Sequence, residues 1–142
     1  ANPGLKRLRR ELSALRTSDD KEISLTPEED NIRRWVAWIA GPPSTPYEGR
    51  FFQMRIDVGQ DYPISPPAIV FETKVFHPNV NFDTGEICLD ILKKNWTPAW
   101  SLNSACRAII ALLAEPDVDS PWNCDAGNMI RAGDRIAFES TA

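Results

Sequence analysis

His77-Pro78-Asn79-Val80-Asn81-Phe82-Asp83-Thr84-Gly85-Glu86-Ile87-Cys88-Leu89-Asp90-Ile91-Leu92, continuing through Lys93-Lys94-Asn95 to Trp96, contains the best candidate nucleophile of the chain, the thiol of Cys88. Gly85 permits a sharp turn, and the apolar alternation at Ile87, Leu89 and Ile91 predicts a short extended segment pinned against a core. Two readings of Cys88 follow. A free cysteine commonly behaves as a small buried hydrophobe; at a structured edge it is also a candidate nucleophile. His77 is the sole histidine, so any Cys-His dyad has to use it. Pro78 holds that histidine extended, and its apolar neighbours favour a structural hydrogen-bonding role. Asn79 could tie down the loop or donate to a developing oxyanion, and the residues alone leave both roles open.

Composition sets the outer limits. A chain of 142 residues with 42% hydrophobic and 25% charged residues fits one soluble domain with its own core, spanning residues 1–142. The net charge is −4, and the basic residues cluster at the start (Lys6, Arg7, Arg9, Arg10, Arg16). A nucleic-acid footprint would need them spread over a face of the domain, so nucleic acid is not an expected partner. No apolar run reaches bilayer length and no signal-peptide core opens the chain, so a cytoplasmic protein without direct membrane insertion is expected. Three cysteines fit a reducing compartment. Cys106 and Cys124 could pair only if the fold brought them together, and no disulfide is expected.

Along the chain, Leu5, Leu8, Leu12 and Leu15 fall at helical spacing and predict an amphipathic first helix. Ile23 and Leu25 predict a first strand, Thr26 to Asn31 a turn, and Ile32, Trp35, Val36, Trp38 and Ile39 a second strand. A proline-fixed loop, Gly41 to Gly49, leads to a third strand from Phe51 to Val58. The rigid loop Asp61-Tyr62-Pro63-Ile64-Ser65-Pro66-Pro67 leads to a fourth at Ile69-Val70-Phe71. After Trp96, Ser101 is placed to cap a helix containing Ala105, Ile109, Ile110, Leu112 and Leu113 that stops at Pro116. A polar loop follows to Asn123, and helical spacing returns at Met129, Ile130 and Ile136. The result is an α+β domain: an N-terminal helix, a four-stranded antiparallel meander, the active-site segment, then C-terminal helices. No repeat, phosphate loop or metal-ligand cluster is evident.

His77-Pro78-Asn79, followed nine residues after the asparagine by Cys88 in Gly-Glu-Ile-Cys-Leu-Asp-Ile-Leu, resembles the active-site signature of ubiquitin-conjugating enzymes. Most members have one residue fewer between asparagine and cysteine. The longer spacing, with Phe82 to Cys88 and Trp96-Thr97-Pro98-Ala99-Trp100, is similar to the peroxisomal branch of that family. The resemblance covers nearly the whole chain and implies the ubiquitin-conjugating fold, with a longer terminal helix than the residues up to Ala142 supply.

It also implies a mechanism. Cys88 would carry ubiquitin as a thioester, with Asn79 holding the loop or stabilising the oxyanion and His77 and Pro78 structural beside it. Asp90, Asp119 and Ser120 would shape the entry side for the attacking group, Ser120 standing where many members have aspartate. Ile64, Pro98 and Ala99 match ligase-contact positions, with Ile64 in place of a common phenylalanine. Lys6, Arg9 and Arg10 match the helix that docks the activating enzyme. Arg50 replaces a usual second glycine. No cofactor or metal is bound, and ATP is used upstream by the activating enzyme. The implied partners are ubiquitin, ubiquitin-activating enzyme, RING-type ligases and, for the peroxisomal branch, the import receptor as substrate. A membrane-anchored peroxin would tether the enzyme to the cytosolic face of the peroxisomal membrane, with the early strands as its docking face. Three rivals stand beside this reading: a conjugating enzyme for another ubiquitin-like modifier, a non-catalytic ubiquitin-binding module, and a Cys88–His77 hydrolase that Pro78 and the missing orienting group disfavour.

Overall fold

The structure, a computed structural model, describes residues 2–117. Asp119, Ser120 and Cys124, and the helical spacing from Met129 to Ile136, lie outside the described residues.

Helix α1 spans Pro3–Arg16. Asn2 caps it, its side-chain oxygen accepting from the Gly4 and Leu5 N–H groups at 2.8 and 3.4 Å, and Pro3 occupies a first-turn position that has no intrahelical partner to lose. Leu8 is fully buried and Leu12 and Leu15 pack partly against the core, while Lys6, Arg9 and Arg10 face solvent.

The meander follows as β1 (Ile23–Glu28), β2 (Asn31–Ala40), β3 (Phe51–Asp57) and β4 (Ala68–Phe71), in the spatial order β1-β2-β3-β4. All neighbours are antiparallel, and the register pairs Ile23 with Ile39, Ile39 with Phe52, and Ile56 with Ile69. Because side chains alternate across a sheet, this register puts Ile23 and Leu25, Trp35, Ala37 and Ile39, and Phe52, Met54 and Ile56 on one inward face. Trp38 and Phe51 point the other way and remain exposed.

Two strand limits differ from the sequence reading. The turn after β1 is shorter than Thr26–Asn31, because Thr26 and Pro27 still pair, with Val36 and Trp35. The proline is tolerated there because β1 is an edge strand and does not need that N–H for a second neighbour. β3 ends at Asp57; Val58 leaves the ladder, although its N–H still donates to the Arg33 carbonyl at 2.7 Å.

Helix α2 spans Leu102–Ala114 and closes the core with Leu102, Ala105, Cys106, Ile109, Ile110, Leu112 and Leu113. Ser101 and Ser104 form a reciprocal capping box, each side chain accepting from the other's backbone N–H, at 3.1 and 2.8 Å. Cys106 is a free, fully buried thiol in this helix, so the Cys106–Cys124 pairing considered from the sequence is not formed. Ser101→Ala removes one half of the cap and is expected to lower unfolding stability by about 1 kcal/mol in a denaturant titration; an unchanged midpoint would show that the helix start is held by packing alone.

Candidate active site

Between β4 and α2 the chain crosses the core without a regular strand, and its geometry comes from scattered backbone pairings. Phe71 N–H donates to the Gly85 carbonyl at 2.9 Å, Asn81 N–H to Glu86 at 2.9 Å, and Cys88 N–H to the Asn79 carbonyl at 2.7 Å. Isolated bridges join Val70 to Glu86 and Val80 to Ile87. Cys88 is therefore held at the end of a miniature ladder, partly buried.

The long spacing between Asn79 and Cys88 is absorbed in one turn. Asn81 Oδ1 accepts from the Asp83 and Thr84 N–H groups at 2.9 and 3.1 Å, and Lys74 Nζ donates to the Phe82 and Asp83 carbonyls at 3.1 and 3.2 Å. Gly85 closes the turn with φ +78°, and a Cβ there would lie 2.0 Å from the Phe71 carbonyl oxygen. Only glycine satisfies both conditions.

After Cys88 the extended course ends sooner than the alternation predicted. A single 3-10 turn spans Asp90–Leu92. The Asp90 carbonyl accepts from the Lys93 and Asn95 N–H groups, both at 3.0 Å, and its carboxylate accepts from Asn95 Nδ2 at 2.8 Å. This local bonding to Asn95 overrides the period-two pattern and fixes the Asp90 side chain two residues from Cys88.

His77 and Asn79 are the buried polar residues of the described core. The Nδ1 atom of His77 accepts from the Asn79 backbone N–H at 3.0 Å, which places the ring proton on Nε2, 2.9 Å from the Leu112 carbonyl that receives it. Burial pushes its pKa down from 6.5 to about 4, against the opposing Leu112 hydrogen bond. Both ring nitrogens of His77 are thus engaged by the backbone. The Tyr47 ring lies 5.9 Å from the imidazole, and its hydroxyl donates to the Phe76 carbonyl at 2.7 Å.

The Asn79 amide clamps the backbone beyond α2 from both sides. Its Nδ2 donates to the Asp117 carbonyl at 2.6 Å, and its Oδ1 accepts from the Asp117 N–H at 2.8 Å. The sequence reading missed Asp117, Tyr47 and Asn95. Only Asn95 had a usable signal, lying five residues from a carboxylate in a polar turn. Among the described residues no group of three or more His, Cys, Asp and Glu could hold a metal ion.

The profile of the ubiquitin-conjugating enzyme family matches residues 7–142 of this sequence. The chain belongs to that family. Among ubiquitin-conjugating enzymes, it is 57% identical over 123 residues to Protein PEROXIN-4 of Arabidopsis thaliana, covering 87% of this chain and 78% of that protein. It is 52% identical over 137 residues to the ubiquitin-conjugating enzyme E2 pex4 of Dictyostelium discoideum, covering 96% and 92%. The H. polymorpha ubiquitin-conjugating enzyme Pex4p, solved in complex with the soluble domain of Pex22p, superposes with a TM-score of 0.84 at 37% identity over 98% of this chain and 93% of its own. The E2 domain of a Toxoplasma gondii ubiquitin-conjugating enzyme gives 0.86 at 38% identity, over 97% and 92%.

On this ubiquitin-conjugating enzyme the residues expected from the sequence to meet a ligase are open to solvent: Ile64 is 75% exposed, and Pro98 and Ala99 are exposed. The Trp96 indole N–H donates to the Pro63 carbonyl at 2.8 Å and so links the two loops that carry them. Asp90 is exposed beside Cys88.

The depressed pKa of His77 makes the enzyme's stability depend on pH. The unfolded chain binds the imidazole proton below about 6.5 and the folded one only below about 4. Stability is therefore complete above 6.5 and falls as pH drops from there toward 4. The loss from pH 7 to pH 5 is expected to be about 2 kcal/mol in denaturant titrations. Since no other histidine is present, His77→Gln should flatten that slope; an equal slope in the variant would reject the assignment.

Proposed function

We propose that Cys88 accepts ubiquitin from the activating enzyme as a thioester and passes it, with a RING-type ligase bound, to the peroxisomal import receptor. The observation that carries this reading is the placement of Cys88, its backbone N–H held by the Asn79 carbonyl, in a segment whose single imidazole has both ring nitrogens engaged. Such a site has no resident Cys-His base, which suits a carrier whose transfer is released by positioning. In loading, the Cys88 sulfur forms a bond to the ubiquitin carbonyl carbon and the activating enzyme's thiol leaves. In discharge, the acceptor's nucleophile forms the new bond, the Cys88 thiolate leaves, and the acceptor's proton is lost to the surroundings. A thiolate serves both as nucleophile and leaving group, so no bound cofactor is required, ATP being consumed upstream.

Asn79 serves both roles that the sequence left open. One Nδ2 hydrogen holds Asp117; the amide carries a second hydrogen for a developing oxyanion. Asp90, steered by Asn95, shapes the entry side together with Asp119 and Ser120. Lys6, Arg9 and Arg10 contact the activating enzyme from the outer face of α1, and Ile64, Pro98 and Ala99 contact the ligase.

The peroxisomal part of the proposal is supported by the names of the relatives and by the Pex4p–Pex22p complex. No helix of the described residues is long and apolar enough to cross a membrane, and recruitment through a membrane-anchored tether would bring the enzyme to the cytosolic face of the peroxisome. The exposed Trp38 and Phe51 give the early strands an apolar outer patch for it.

A loading reaction with activating enzyme, ATP and ubiquitin tests the carrier function. A reductant-sensitive, ATP-dependent adduct is expected on the native protein, absent in Cys88→Ala and converted to a reductant-resistant oxyester in Cys88→Ser. No adduct with ubiquitin would favour a different modifier or a binding module. Asn79→Ala is expected to load and then discharge at least about a hundredfold more slowly; discharge at the native rate would remove its catalytic role.

A further inference from the structure

The inner side of α1 carries a charged pair that contacts both ligase-surface loops. Glu11 Oε2 accepts from Arg7 Nε at 2.9 Å and from the Tyr62 hydroxyl at 2.5 Å, and Oε1 accepts from the Leu102 N–H at 2.8 Å. The two remaining arms of the Arg7 guanidinium donate to the Pro98 carbonyl at 2.9 Å and the Trp100 carbonyl at 2.6 Å. The Arg7 and Glu11 side chains are only 21% and 10% exposed. Arg7 also lies 5.8 Å from the centre of the Tyr62 ring.

Taken together, one carboxylate and one guanidinium reach two stretches far from α1 in sequence: Tyr62 ahead of Ile64, and the continuous run from the loop carrying Pro98 and Ala99 into the first turn of α2. Burial first, and the neighbouring Glu11 carboxylate second, keep the Tyr62 phenol protonated well above neutral pH, so it remains a donor. The polarity of the 97–100 loop is then settled. Its carbonyls at Pro98 and Trp100 turn inward to Arg7, while Pro98 and Ala99 stay exposed. A planar fork holds two carbonyls at fixed separation; a lysine ammonium keeps the charge and loses that geometry.

We propose that Arg7 and Glu11 are positioning residues for ligase-stimulated transfer, holding the Ile64 loop and the Pro98–Ala99 loop in the mutual arrangement that a ligase binds. The inference rests on the conjugating reading above. It assigns to the inner face of α1 a role separate from that of Lys6, Arg9 and Arg10 on the outer face. Because Glu11 is almost wholly covered, its effect on a ligase has to pass through the loops.

The test compares native enzyme with Arg7→Lys and Glu11→Gln, both near in size to the residues replaced. Three quantities are read: loading of Cys88 by activating enzyme, discharge to free lysine without ligase, and discharge against increasing concentrations of a RING domain that accelerates the native enzyme. Loading and ligase-free discharge are expected to stay within about twofold, while the half-saturating RING concentration rises about five- to tenfold in both variants, equivalent to about 1 to 1.4 kcal/mol. A half-saturating concentration within twofold of native in both overturns the inference. So does a rise confined to one variant, which marks a direct contact or a local defect, and so does an equal loss of loading, which marks general unfolding. Failure of the native protein to load would instead remove the conjugating reading, and this inference with it.

Discussion

A buried backbone that leaves the regular sheet still needs a partner for every N–H and carbonyl. Between β4 and α2 scattered backbone pairings meet part of that need, and two buried side chains meet another part. His77 accepts from the backbone two residues on and donates to the last turns of α2, and Asn79 gives Asp117 the donor and acceptor that a neighbouring strand would otherwise supply. The arrangement works only with an uncharged ring carrying its proton on Nε2, since an imidazolium has no acceptor for the Asn79 N–H. Everything that locates Cys88, from its own N–H on the Asn79 carbonyl to the turn closed by Gly85, is built on that scaffold.

The same scaffold commits the only imidazole of the chain to backbone hydrogen bonds. The one group that a hydrolase would recruit as base is committed to holding the segment in place. Asp90 and Glu86, the carboxylates two residues to either side of Cys88, are engaged by Asn95 and Lys93. On the proposed reading, transfer from Cys88 then depends on what a partner brings and how it orients the acceptor.

The helices and strands were legible because each has one buried face and one solvated face, and the periods of 3.6 and 2 survive in the residue order. Leu8, Trp35, Ile39, Met54 and Ile109 fall in the core where the patterns put them. Pro27 was misleading because proline reads as a turn, yet an edge strand accommodates it. Ile87, Leu89 and Ile91 were misleading because a local hydrogen bond from Asn95 outweighed their alternation. Cys88, Asn79 and His77 stood out by motif. Their supports did not, since the contacts join residues 29, 38 and 91 to 93 positions apart, and nothing in the local sequence at Tyr47, Asp117 or Arg7 announces a distant partner.

Cys106 lies on the core side of α2 with no solvent contact, and burial pushes its thiol up to about 12. An electrophile at neutral pH meets neither an accessible nor an ionised sulfur there while the domain is folded. Its alkylation therefore has to wait for the helix to lift from the sheet, and the rate of that labelling becomes a clock for global opening that is wired into the native sequence without any added probe.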